Sequence, residues 1–205
     1  MWNLEVVMGM IKILDNFFKD PYEIRKLALS SQFFLTSVEW PGRRAEVLDP
    51  YRTAYSNQYR KFFDEPAELY ENRMHFQLID KSWIEGVCHP DLDVTYTVIT
   101  YLNLECPFDS GTEIYGKVDE FRLGDDRKYF NQVKRDFYSS NRNRIDKFLF
   151  KKELKKFNSG FKDPCIVANR FNRTLIFHGD MVHRAQNFFG NILSNSRLTL
   201  VSFYK

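Results

Sequence analysis

Residues 89–104 read HPDLDVTYTVITYLNL, and the fold turns on this stretch. From Val94 to Leu104, β-branched and aromatic residues follow one another with no glycine or proline, which predicts a strand. Side chains alternate across a strand. One face therefore carries Val94, Tyr96, Val98 and Thr100, and the other Thr95, Thr97, Ile99 and Tyr101. Both faces are half apolar, so the strand is expected to be covered on both sides. Just ahead of it, His89-Pro90-Asp91 sets an imidazole and a carboxylate two residues apart, on one face of an extended chain.

Working outward, strands are expected at 4–14, 73–79, 112–115, 165–168, 174–178 and 197–204. Strands with few helices between them imply an antiparallel sandwich or jelly roll, mainly β with flanking helices. A helix is expected at about 21–30. Pro21 suits its first position, Asp20 can cap it, Glu23 completes a capping box, and Ile24, Leu27 and Ala28 share a face. Trp40-Pro41-Gly42-Arg43-Arg44 reads as a loop, and residues 50–72 as partly helical.

Residues 117–163 carry 14 Lys+Arg against 8 Asp+Glu, with Lys151-Lys152 and Lys155-Lys156 at helical spacing. This is read as an insertion, partly helical and solvent-facing, with a lid or an acidic-partner surface as the sharper reading. The 205 residues are expected to form one domain: a support region over 1–72 and a β core over 73–205 interrupted by the insertion.

Composition excludes several classes. Hydrophobic residues at 43% and charged residues at 28% are those of a globular chain, and no apolar run is long enough to span a bilayer. A net charge of +3 does not indicate nucleic acid. Neither GxGxxG nor GxxxxGK[ST] occurs. Three cysteines (Cys88, Cys106, Cys165) form no CxxC pair, which argues against a disulfide framework or a zinc finger. With no basic region at the N-terminus and Glu5 and Lys12 inside its apolar stretch, no secretory signal is read, and a reducing cytoplasm is expected.

There are four histidines: His75, His89, His178 and His183. His89 and Asp91 joined by a distal histidine would form a 2-His-1-carboxylate triad, a set that suits iron(II) oxygenases. His183 is the natural third ligand. His178-Gly179-Asp180 is a second HxD, but only His183 follows it, three residues on, so it is set aside. His75 and His178 read as structural. Arg197 lies fourteen residues after His183. If its strand pairs with that of His183, it enters the same cavity, where a guanidinium can take a dicarboxylate's remote carboxylate. Tyr101 would add a hydroxyl to that carboxylate, and Thr199 shares the face of Arg197.

In these pieces the chain resembles the Fe(II)/2-oxoglutarate-dependent dioxygenases, near their prolyl-hydroxylase-like branch. The matching segments are His89-Pro90-Asp91, Tyr101-Leu102-Asn103, Ser110-Gly111-Thr112-Glu113-Ile114-Tyr115, Asn169–Phe177, His183 and Arg197-Leu198-Thr199. They cover about residues 73–205. The N-terminal DNFFKDPYEIRKLAL and WPGRR resemble small oxygenase-like proteins of bacteria and phages. The resemblance implies a cupin-like double-stranded β-helix and iron(II) on His89, Asp91 and His183. It also implies 2-oxoglutarate held by Arg197, assisted by Tyr101 and Thr199, with O2 as oxidant and a small molecule or peptide hydroxylated. Ser110 stands where the family often has glycine, and the His183-to-Arg197 gap is longer than in prolyl-hydroxylase relatives, the surplus in GNILSNS reading as a longer hairpin loop.

Other residues read more plainly. Trp40 and Trp83 are expected in the core, Arg43 and Arg44 at the site mouth or on a solvated loop, and Cys88 as an inert buried thiol. Arg184 should face away from His183. The rival reading is a non-catalytic jelly-roll module that binds a protein or nucleic acid through the basic insertion.

Overall fold

The structure, a computed structural model, describes residues 5–7, 11–35, 40–83, 85–117, 127–140 and 147–205. Ten strands are described: β1 Glu5–Val7, β2 Ile11–Leu14, β3 Arg43–Glu46, β4 Leu69–Ile79, β5 Tyr96–Tyr101, β6 Thr112–Lys117, β7 Cys165–Val167, β8 Thr174–His178, β9 Met181–Ala185 and β10 Arg197–Tyr204. The helices are α1 Pro21–Ser30, α2 Tyr51–Tyr59, α3 Arg127–Ser140 and α4 Lys147–Asn158.

All strand pairs are antiparallel, in a seven-stranded sheet of order β1-β2-β8-β5-β10-β4-β3 and a three-stranded sheet of order β7-β6-β9. The expected jelly roll is what forms. β5 lies in the middle of the large sheet, buried along its whole length, as its two half-apolar faces predict. Its outer face, Tyr96 and Val98, joins Leu198, Leu200, Met74 and Phe76 in a core that Ile24 and Ala28 of α1 and Tyr55 and Tyr59 of α2 cover. Its inner face, Ile99 and Tyr101, packs with Phe177 of the same sheet and with Ile114 and Met181 of the small one. The polar Thr100 is accommodated on the outer face by a chain of hydroxyls, Tyr59 Oη to Thr100 Oγ1 at 2.8 Å and Thr100 to Thr174 Oγ1 at 2.6 Å.

Several expectations are corrected. Within the expected strand 4–14 the described residues form two strands, Glu5–Val7 and Ile11–Leu14, in an antiparallel pair. Trp40–Gly42 is irregular as expected, but Arg43 and Arg44 begin the strand β3 on the edge of β4, because an open edge of backbone groups recruits them despite their charges. α1 has Pro21 at its start, as expected, but the Asp20 side chain caps nothing. β10 pairs with β4 and β5, not with the strand of His183, which lies in the small sheet. The GNILSNS stretch is therefore a crossing from one sheet to the other, not a hairpin loop.

The described part of the insertion contains two helices, α3 and α4, in keeping with the expected partly helical segment. Phe150 and Leu154 of α4 are buried against Val87, with Phe157, Phe137 and Val133 packed around them. Lys151, Lys152, Lys155 and Lys156 of α4 are exposed, as expected, but the opposite face of this helix packs into the domain instead of facing solvent. No helix among the described residues is long and apolar enough to cross a membrane.

Candidate metal centre

The segment that carries His89 lies against the free edge of β9. His89 N–H donates to His183 C=O at 3.0 Å, and His183 N–H donates back at 3.0 Å. This exchange brings two imidazoles from residues 94 apart in sequence side by side, ring centres 4.6 Å apart. Asp91 reaches the same point: its Oδ1 is 3.8 Å from His89 Nε2 and its Oδ2 is 3.4 Å from His183 Nε2. All three side chains are buried, and their ligand atoms lie within 4.8 Å of one another.

Each ligand is held from behind. His89 Nδ1 is 2.7 Å from Val87 C=O, and His183 Nδ1 is 3.0 Å from Met181 C=O. A carbonyl partner requires Nδ1 to carry the proton, which leaves the Nε2 lone pair of both rings for a metal. Thr97 Oγ1 donates to Asp91 Oδ2 at 2.9 Å. The turn that presents Asp91 is locked by Asp91 N–H to Gly179 C=O at 2.6 Å. Only glycine allows that approach, since a Cβ on Gly179 would sit 2.5 Å from Asp91 C=O and 2.3 Å from Val94 C=O. The second HxD thus contributes its glycine. Its His178 stacks edge-on with Tyr96, and its Asp180 pairs with Lys117.

Electrostatics favour metal-ready protonation states. Burial pushes His89 well below its ordinary value, and Lys134 and His183 push it the same way. Burial also lowers His183. Burial would raise Asp91, but His183, His89, Lys134 and the Thr97 hydroxyl together hold it below the usual carboxylate value. The centre at neutral pH is two neutral imidazoles and one carboxylate, the donor set expected of a facial triad.

A cavity of about 60 Å³ opens from the triad between the two sheets. Arg197 lines it from the large sheet, 2% exposed. Its Nε donates to Ser110 C=O at 3.3 Å and its guanidinium lies 5.7 Å from the Tyr101 ring centre. It forms no ion pair among the described residues, and burial lowers its pKa. Tyr101 is fully buried and donates its hydroxyl to Thr112 Oγ1 at 2.7 Å. Thr199 pairs in register with Tyr101, and its buried hydroxyl has no hydrogen-bond partner among the described residues. Of the six residues singled out from the sequence, His89, Asp91, His183 and Arg197 line this one cavity, Arg197 from the opposite sheet to His183, whereas Tyr101 and Thr199 lie beside Arg197 on the large sheet and are not part of the lining.

Sequence reasoning missed part of the wall. Trp40, expected in the core, packs against Phe203 and also lines the cavity, 6.2 Å from the His89 ring. Arg44, also lining, and Lys134, 3% exposed, lie 4.3 and 4.2 Å from the Trp40 ring centre. Lys134 comes from α3, so the insertion delivers a buried cation beside the triad, which charge counting cannot reveal. Arg184 faces away from His183, as expected, and binds Glu113 and Glu85, the latter at 3.1 Å. Burial pushes the Cys88 thiol up to about 12, an unreactive state.

A family model described as a family of unknown function (DUF6445) matches residues 7–204. No curated protein matches the chain. Among solved structures, HygX from Streptomyces hygroscopicus, with nickel, 2-oxoglutarate and hygromycin B bound, aligns at 14% identity with a TM-score of 0.58, over 95% of this chain and 82% of that one. SnoN, a non-heme alpha-ketoglutarate-dependent epimerase from nogalamycin biosynthesis, aligns at 13% and 0.53, over 95% and 77%. A prolyl 4-hydroxylase of Phytophthora capsici gives 13% and 0.53, over 95% of this chain but 58% of that one. At these identities the likeness establishes the fold: this chain has the β-helix of the 2-oxoglutarate oxygenases.

Proposed function

The chain belongs to the DUF6445 family, and we propose that it is an iron(II)- and 2-oxoglutarate-dependent oxygenase, most simply a hydroxylase. The observation that carries this reading is the His89–Asp91–His183 cluster, two neutral imidazoles and a carboxylate converging beside a buried arginine that forms no ion pair among the described residues. The donor set fits iron(II), and nickel and 2-oxoglutarate bound in HygX support the same pairing.

In this reading His89, Asp91 and His183 hold the metal. Iron with 2-oxoglutarate supplies oxygen activation, coupling decarboxylation to succinate with oxidation of the primary substrate. Arg197 binds the remote carboxylate of 2-oxoglutarate by a charge-assisted contact. Tyr101 lies against the guanidinium and holds Thr112, and Thr199, paired with Tyr101, has a buried hydroxyl with no hydrogen-bond partner among the described residues.

The rival reading, a binding module acting through a basic insertion, gives no use for a buried arginine or for a metal-ready triad, both of which cost folding free energy. Purified protein with iron(II) should convert 2-oxoglutarate to succinate, slowly without the primary substrate, and His183→Ala should abolish both metal retention and turnover. Iron retention and turnover surviving in His183→Ala would move the centre elsewhere.

A further inference from the structure

The extended segment Gly86–His89 brings the first ligand to the centre, and its two edges are held by different partners. Along an extended chain, successive residues turn their backbone groups to opposite edges. His89 turns both of its groups to His183 on β9. Gly86 and Cys88 use the other edge, where no strand lies among the described residues. There the side chain of Asn158, at the end of α4 and 6% exposed, does the work of one. Its Oδ1 accepts from Cys88 N–H at 3.0 Å, and its Nδ2 donates to Gly86 C=O at 2.9 Å. Between these two anchored residues stands Val87, buried against Phe150 and Leu154 of the same helix. The Val87 carbonyl is the group that orients the His89 ring through Nδ1. Gly86 is pressed against β9 closely enough that a Cβ would lie 2.4 Å from Ala185 C=O.

We infer that Asn158 is a positioning residue for the metal centre: by bonding Gly86 and Cys88 together it fixes Val87 and so aims His89 Nε2, which makes the insertion a working part of the site. The inference rests on the reading of His89, Asp91 and His183 as metal ligands. It follows from chemistry that few side chains share, since one planar carboxamide presents a donor and an acceptor at the spacing of a neighbouring strand. Aspartate keeps only the acceptor, and alanine keeps neither.

The test is nickel(II) titration of the full chain by calorimetry, with the cobalt(II) absorption spectrum as a report on ligand geometry. Asn158→Ala should bind nickel about 10- to 100-fold more weakly, the usual loss when a group orienting a ligand is removed. Its cobalt bands should shift, and Asn158→Asp should fall between alanine and wild type. Ile24→Ala, on the far side of the large sheet, controls for lost stability and should bind nickel as wild type does at a comparable fall in Tm. Wild-type affinity in both Asn158 variants overturns the inference, as does an equal loss of affinity in Ile24→Ala. If Asn158→Ala does not fold, the aspartate variant decides: unchanged affinity and spectrum there overturn it. A wild-type chain that binds no divalent metal overturns the iron reading itself, an outcome distinct from the other two.

Discussion

Replacing Arg197 by methionine should weaken 2-oxoglutarate binding and strengthen the ligand-free fold, two effects of opposite sign from one substitution. Arg197 is 2% exposed and its polar contacts are neutral groups, the Ser110 C=O at 3.3 Å and the Tyr101 hydroxyl. A guanidinium kept dry without a counter-charge is a cost, and exchanging buried charge for a packed apolar side chain returns about 1–4 kcal/mol. In a chain of this length each kcal/mol is worth about 2–4 °C in Tm, so the variant should melt a few degrees higher. The cosubstrate loses a charge-assisted contact worth about 1.5–3 kcal/mol, which at 1.4 kcal/mol per factor of ten raises its KM roughly 10- to 100-fold. Thermal melts with nickel(II), with and without 2-oxoglutarate, read both effects. At about 100 times its Kd, the ligand stabilises wild type by about 2.7 kcal/mol. The same concentration should give Arg197→Met only about 0.4–1.4 kcal/mol. Succinate formation against 2-oxoglutarate concentration gives KM independently, and nickel affinity should not move. A variant with unchanged KM and a lower Tm would refute the assignment, because Arg197 would then be a structural residue of the inner face.

Three further substitutions test other levels of the structure. Gly179→Ala puts a Cβ 2.3 Å from Val94 C=O and 2.5 Å from Asp91 C=O, so Asp91 must shift and nickel affinity should fall about tenfold or more; wild-type affinity counts against the locked turn. Tyr59→Phe breaks the hydroxyl chain to Thr100 and Thr174 on the outer face, at a cost of about 0.5–1.5 kcal/mol read as a lower Tm, with nickel and 2-oxoglutarate binding unchanged. Asp15 is hydrogen-bonded by Arg173, which with Arg170 holds its carboxyl below 3.8 against the opposing effect of burial. Its folded pKa is depressed, so its stabilisation is complete above about pH 4 and is lost as pH falls through the folded value. Asp15→Asn should therefore lower Tm at pH 7, and the gap between variant and wild type should close on acidification; a gap that stays constant into strong acid would exclude the ion pair as its source.

What the sequence discloses about the fold is what depends on neighbours along the chain. The run from Val94 carries its own alternation, so β5 and its burial on both faces were legible. Pairing depends on partners far away. An arginine-rich tetrapeptide becomes β3 because β4 has an edge to fill, and no local propensity announces that. The same limit governs the site. His89 and Asp91 declare themselves by spacing, and His183 by the scarcity of histidines. The route by which Arg197 arrives, from the sheet opposite His183, belongs to topology: β10 hydrogen-bonds to β4 and β5, and the cavity lies between the sheets. Residue types were legible where the chemistry demands a type, and geometry was not where it depends on which strands meet.

The insertion shows how such a limit can be narrowed. Lys151, Lys152, Lys155 and Lys156 mark one face of α4, and read alone they describe a solvated helix. The complementary positions, Phe150, Leu154 and Asn158, recur every four residues and form the buried stripe. A carboxamide that continues an apolar stripe must find hydrogen-bond partners, because burying it unpaired would cost more than the stripe gains there. So the period alone already asks what Asn158 is bonded to. The answer, the backbone on either side of Val87, lies about seventy residues away, next to His89. A charged insertion in a jelly roll is for this reason better read from its uncharged face: the lysines say where the water is, and the one polar residue among the phenylalanines and leucines says where the domain needs the insertion to be.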